Sequence, residues 1–350
     1  MEIVLIFIGI VLILNRSSKY DPFSKDMSIC IRPILFLCIF IRHLLAYVND
    51  FYMLNDIFMG KGFWFVGVFF LISGYGLTYQ LENCRGGVKE YLKAFLFKRN
   101  VKVLIPLIAI FPIFLLGKYL LNGDVFSFSL LNIVKRFWYT LFIVDYSWYV
   151  YEIIFFYCVF WFSVRFFGAI WKQMIMLCIV VVLLLTSFIG VNVAWYCSGS
   201  CFILGILMAT YKNKVSEILC QHKYVVGGMC VLTLKFGMDM LNSFDSIHPF
   251  SLVNIRYMLI ANIVAIAFCV VCLLLMTKIN ICNKLTRYLG SISYEMYLTQ
   301  GLAILFLHNK YINFSGFAIS FILGLLMCVT ISILLHKISK SISDWMITKC

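Results

Sequence analysis

Apolar and polar positions alternate on a coarse scale along this chain. Runs of about 20 apolar residues, each long enough to cross a bilayer core, recur over all 350 residues and are separated by short polar stretches. They predict ten spans, at 31–48, 63–81, 103–121, 148–167, 174–190, 193–210, 224–241, 255–276, 291–308 and 314–335. The aromatic-rich segment Val125 to Tyr146, interrupted by Lys135 and Arg136, reads as a re-entrant or surface helix on the outer side. Residues 1–14 hold a shorter apolar run without the basic start or small-residue cleavage site of a signal peptide. That run is a candidate eleventh span or an interfacial segment, with Arg16, Lys19 and Lys25 following on the expected cytoplasmic side. The expected fold is all-α: a polytopic transmembrane helical bundle of ten core spans plus a candidate short N-terminal span. Residues 1–28 form the apolar segment and a basic linker, 29–340 the membrane domain, and 341–350 a cytoplasmic tail.

Composition agrees. The chain is 63% hydrophobic and only 13% charged, with a mean hydropathy of +0.98, against about 25% charged in globular domains. No polar stretch is long enough for a soluble domain. The net charge of +14 does not point to nucleic acid, because the basic residues fall in alternate short loops, as the positive-inside rule requires. Of the 29 Lys and Arg, 21 lie on one side, which is therefore cytoplasmic and carries the C-terminus. Lys61, Lys118, Lys135, Arg136, Arg256 and Lys310 lie at outer flanks, and Arg42 and Lys235 within spans. Most of the 14 cysteines sit in apolar stretches and form no disulfide framework; Cys269 and Cys272 read as packing residues. No Cys/His spacing suits zinc, and no metal is expected.

Against this apolar background the ionisable residues stand out. Arg32 and His43 lie eleven residues apart on the first core span. Eleven steps of about 100° bring both to one face, roughly 16 Å apart along the axis. An intramembrane ionisable residue marks a functional site by default, although a buried structural network would use the same pair. In Gly62 to Gly76 the small residues Gly67, Ser73, Gly74 and Gly76 suit close helix packing; Ser73 and Gly74 could equally line a ligand path. The stretch Glu82 to Lys102 carries Arg85, Lys89, Lys93, Lys98, Arg99 and Lys102 just before Pro106. Topology, lipid headgroups and a phosphate-bearing ligand each account for it. Trp148 and Tyr149 open a span with Glu152 one turn in, suited to pairing with a cation or polarising a hydroxyl. Tyr294, Tyr297 and Gly301 share one inward face. His222, His248, His308 and His336 read as loop or helix-end residues.

Taken in order, these landmarks resemble the integral-membrane acyltransferase-3 family, bacterial O-acyltransferases that modify surface polysaccharides and related acceptors. The resemblance runs from about residue 30 to 335. It rests on Arg32 with His43, the stretch Phe69-Phe70-Leu71-Ile72-Ser73-Gly74-Tyr75, and Lys98-Arg99-Asn100-Val101-Lys102 leading to Pro106. Trp148-Tyr149 with Tyr157, and Leu289 to Tyr294 with Tyr297-Leu298, complete it. It implies His43 as the essential base or acyl-relay group, with acyl-CoA entering from the cytoplasm of a bacterial inner membrane. Arg32 and the basic run would help to hold that donor. Two departures stand out. The usual Arg-x-x-Arg reads Arg99-x-x-Lys102, losing one guanidinium fork, and a histidine common in the late Tyr-Leu motif is replaced by Gln300.

The expected activity is therefore transfer of an acyl group, foremost acetyl from acetyl-CoA, to a hydroxyl of a carbohydrate or lipid-linked glycan. His43 and Arg32 are the candidate catalytic residues. Lys98, Arg99, Lys102 and Ser73 are the donor-binding candidates, and Trp148, Tyr149, Glu152 and Tyr297 the acceptor-binding ones. Trp64, Trp148 and Tyr149 suit a sugar face or an interfacial aromatic belt. A transporter or flippase of lipid-linked sugar would also place ionisable residues on one face, and a polysaccharide polymerase shares the many-span, aromatic-rich pattern. Sequence leaves the acceptor and the oligomeric state open.

Overall fold

The computed structural model describes residues 21–48, 52–58, 60–244, 248–314 and 316–348. The N-terminal run 1–14 lies outside them. The regular secondary structure of the described residues is helical, with short 3-10 turns and no strand. Nine segments among them are long and apolar enough to cross a membrane.

The helices are α1 (Lys25–Cys30), α2 (Arg32–Leu44), α3 (Tyr52–Phe58), α4 (Gly62–Glu82), α5 (Gly87–Lys93) and α6 (Phe95–Asn122). There follow α7 (Leu130–Tyr139), α8 (Trp148–Phe166), α9 (Trp171–Ile189), α10 (Ser200–Thr210), α11 (Lys212–Gln221) and α12 (Lys223–Asn242). The last are α13 (Leu252–Lys278), α14 (Lys284–Ser291), α15 (Ser293–Leu307) and α16 (Phe317–Thr348). Among the helix extents that differ from the sequence expectation, two move charged residues or histidines into a helix. First, α6 starts eight residues early, so Lys98, Arg99 and Lys102 lie on its opening turns, and Pro106 and Pro112 are inside it. Lys and Arg are good helix formers whose long stems reach water from an apolar surface, so charge alone does not end a helix. Second, α16 runs on to Thr348, and His336 lies well within it.

The chain divides into two compact units. The first comprises, of the described residues, 21–35, 60–89 and 162–290. Here α4 and α10 meet backbone to backbone. A Cβ on Gly74 would lie 2.2 Å from the Phe202 carbonyl oxygen, and one on Gly205 2.2 Å from that of Leu71. Gly74 is thus a packing residue. Gly205→Ala is expected to cost about 1–3 kcal/mol or more and to lower the thermal unfolding midpoint in detergent. Gly76→Ala, whose Cβ would meet nothing within 4 Å, is expected to leave that midpoint unchanged or raise it.

The expected span 193–210 is broken. A 3-10 turn (Val193–Trp195) and a non-helical stretch precede α10. Asn262 of α13 satisfies that stretch: its Oδ1 accepts from the Ser200 N–H at 3.1 Å, and its Nδ2 donates to the Tyr196 carbonyl at 2.6 Å. Non-helical backbone at membrane depth persists only where protein meets its polar groups.

The second unit comprises, of the described residues, 36–48, 52–58, 90–161, 291–314 and 316–348. Its centre is α15, which packs against α6 and α16 and buries almost every side chain. At 15 residues it is about 22 Å long, short of a full crossing. Its polar groups are paired inward. Thr299 Oγ1 meets Ser332 Oγ at 2.9 Å, Glu295 Oε1 meets His336 Nδ1 at 2.8 Å, and the Tyr294 hydroxyl donates to the Val103 carbonyl at 2.7 Å. His336 is therefore the partner of a buried carboxyl, not an interfacial residue as its sequence position suggested. The helix α7, in the segment read as re-entrant or surface-lying, buries no residue.

Candidate active site

Pro33 stands at the second position of α2, where its missing N–H is tolerated within the helix but costs the preceding turn a bond. That explains the break at Ile31 between α1 and α2. The two form one apolar segment, Lys25–Leu44. Arg32 is thus about a third of the way along it rather than at its mouth, and His43 is in its last turn. Both are partly buried.

His43 is held on two sides. Its Nδ1 lies 3.2 Å from Oε1 of Gln300, and its ring stacks on that of Tyr146 with centroids 3.7 Å apart and planes 10° from parallel. With Gln300 Oε1 accepting, the imidazole donates from Nδ1 and carries its lone pair at Nε2. Gln300 is fully buried on α15. Arg42, the preceding residue, is close enough to act electrostatically on both rings.

Tyr146 belongs to the loop between α7 and α8 and adopts a left-handed backbone with φ +64°. Three contacts dock that loop. The Tyr297 hydroxyl donates to the Tyr146 carbonyl, Lys118 of α6 pairs with Asp145, and Gly301 leaves room for Asp145, whose Cβ would lie 2.8 Å from a Cβ added there. On α15, Tyr297, Gln300 and Gly301 stand at i, i+3 and i+4, one helical face. Burial above all, then the neighbouring Tyr47, holds the Tyr146 hydroxyl above the usual tyrosine range. It stays neutral.

Several residues singled out from sequence gather here. Tyr149 packs edge-on against Tyr297, centroids 5.5 Å apart, and the buried Glu152 is near enough to Tyr297 to act on it electrostatically. Trp148 is half-buried at the start of α8. Lys98 and Lys102 are exposed on the first turns of α6, and Arg99 lies 5.8 Å over the Phe95 ring. These three basic residues fall within about 100° of one helix face, and Lys102 is roughly 24 Å along α6 from Lys118. Arg32 and Ser73 belong to the first unit. So does Trp64, which is buried 5.0 Å from the ring of Phe268 and serves packing instead of an outer sugar face. Sequence reading missed Tyr146, Asp145 and Lys118 as site residues, and it noted Gln300 only as a replacement.

This arrangement can orient an imidazole for proton transfer. The family model that matches the chain, described as an acyltransferase domain, covers residues 29–337. No curated protein and no solved structure matches the chain significantly. From this match and the nine apolar helices among its described residues, the chain belongs to the acyltransferase-3 family and is a multi-pass membrane acyltransferase.

Proposed function

We propose that the protein transfers an acyl group, acetyl in the first instance, from acyl-CoA to a hydroxyl of a carbohydrate or lipid-linked glycan, with His43 as general base. The observation that carries this reading is the fixed imidazole, bonded at Nδ1 to Gln300 and stacked on Tyr146. Such a ring has Nε2 ready to take a proton. As the acceptor oxygen attacks the thioester carbonyl carbon, its proton passes to Nε2; the C–S bond breaks, and the imidazolium returns the proton to the departing sulfur. A positioned acid–base group of this kind contributes about 10²- to 10⁴-fold.

Lys98, Arg99 and Lys102 would hold the phosphates of the donor. Their shared face on α6 supports this, as does the length of that helix towards Lys118, of the order of an extended pantetheine arm. Tyr149, Glu152 and Tyr297, beside the histidine, would meet the acceptor, with Trp148 at the start of the same helix as Tyr149. Arg32, on the helix that bears His43, and Ser73 are further donor-side candidates. The distribution of Lys and Arg supports a cytoplasmic C-terminus, and the family resemblance a bacterial inner membrane.

The test is acetyl-CoA binding and acceptor-dependent thioester consumption by purified protein in lipid nanodiscs. Saturable binding is expected. Arg99→Ala/Lys102→Ala is expected to raise the KM for acetyl-CoA by about tenfold or more, since each charge-assisted bond contributes about 1.5–3 kcal/mol. Absence of both binding and turnover would return the lead to a transport function.

A further inference from the structure

A cavity of about 630 Å³ lies within the second unit, lined by Ile108 and Phe111 of α6, Arg136 and Phe137 of α7, Val144 and Tyr151 among others. That volume is in the range of ligand sites. The walls are overwhelmingly apolar, and Arg136 is the only charged side chain among the lining residues. The guanidinium is fixed in place, 4.6 Å from the Phe126 ring centroid and donating to the Leu141 carbonyl at 3.1 Å. The helix that bears it, α7, exposes Leu130, Leu131, Val134 and Phe137, the composition of a helix lying in a membrane interface.

Two short segments join this cavity to the histidine. Val144 lines the cavity, and two residues later Tyr146 covers the His43 ring. Tyr151 lines the cavity, and two residues earlier Tyr149 packs on Tyr297. Two residues of chain reach at most about 7 Å. One wall of the cavity therefore lies within a short reach of chain of the residues that contact His43 and Tyr297.

We propose that the cavity seats the hydrocarbon tail of a lipid phosphate, with the phosphate at Arg136. The further step, that this amphiphile bears the accepting hydroxyl, rests on the acyl-transfer reading above. An apolar slot with one fixed guanidinium complements a single chain with one anionic head; a neutral lipid would leave that cation without its counter-charge.

The experiment measures binding of a fluorescent hexadecyl phosphate, and of the matching hexadecanol, to the full-length protein in nanodiscs of zwitterionic lipid. Saturable binding of the phosphate, tighter than the alcohol, is expected. Arg136→Ala should weaken the phosphate about fivefold or more without moving the alcohol, and Arg136→Lys should restore most of the loss. Ile108→Trp, which fills the cavity from an exposed position, should abolish binding of both probes. Equal binding of phosphate and alcohol by wild type, or unchanged binding by Ile108→Trp, would overturn the proposal. Acetyl-CoA consumption measured on the same samples separates the two readings. Phosphate binding without consumption leaves the cavity assignment standing and removes the acceptor role; consumption without phosphate binding removes the cavity assignment alone.

Discussion

His43→Ala is expected to lower acyl transfer by about 10²- to 10⁴-fold, the usual contribution of a positioned general base, in protein that still inserts and folds. The fold should survive because the ring is near the end of α2 and partly buried. Its removal leaves Gln300 Oε1 without its partner, a cost of about 1–3 kcal/mol, small against a bundle with α15 packed on α6 and α16. His43→Gln fills more of the space without a comparable base and should be as inactive. The measurement is acceptor-dependent acetyl-CoA turnover, compared at equal amounts of monodisperse protein in detergent. A variant with a near-normal rate and a normal elution profile would remove His43 from the chemistry.

Gln300→Leu should lower kcat by about 10- to 100-fold while leaving the KM for acetyl-CoA unchanged. Leucine has nearly the same volume but no acceptor for Nδ1–H, so the imidazole loses the contact that fixes its proton and its plane. The amide nitrogen of Gln300 is itself buried without a hydrogen-bond partner among the described residues. Among the described residues the polar contact of this side chain is therefore the histidine. Gln300→His puts a second ring nitrogen within reach and should recover much of the rate. A positioning role predicts this kcat-specific loss and its rescue. A purely structural role would instead show equal loss in both substitutions, or a matching fall in stability.

How far the sequence reached depended on the range of the signal. Arg32 and His43 stand out locally as two costly side chains on one apolar helix, and helical period alone puts them on one face, but the structure brings only His43 to the cluster of Gln300 and Tyr146. The inward face of α15 was legible for the same reason, from Tyr294, Tyr297 and Gly301. The start of α6 was not: Pro106 resembles a helix opening, and six basic residues resemble a loop, yet the helix takes in the last three of them, Lys98, Arg99 and Lys102, and runs through the proline. The break before α10 was hidden because Tyr196 to Gly199 read as part of an apolar run, and the group that permits it, Asn262, is more than 60 residues away. The partners of His43 were the least accessible. Gln300 is separated from it by 257 residues and Tyr146 by more than a hundred. No periodicity links such positions, and only the packing of α15 against its neighbours brings them together.

Tyr146 has one more consequence. A left-handed backbone costs a residue with a Cβ about 1–2 kcal/mol, which glycine escapes. Among the described residues five positive-φ positions are glycines, Gly60, Gly87, Gly123, Gly168 and Gly190, while Thr140 and Phe250 share the conformation with Tyr146. At position 146 the chain keeps a large aromatic in the unfavourable conformation, pinned by the Tyr297 hydroxyl on its carbonyl and by the Lys118–Asp145 pair beside it. Such a turn stores conformational strain that the rest of the fold must offset, and its return is an imidazole already ordered before substrate arrives. With His43 as the proposed base, stability and readiness for proton transfer pull in opposite directions at Tyr146, and a search for more stable variants is expected to select there against the activity.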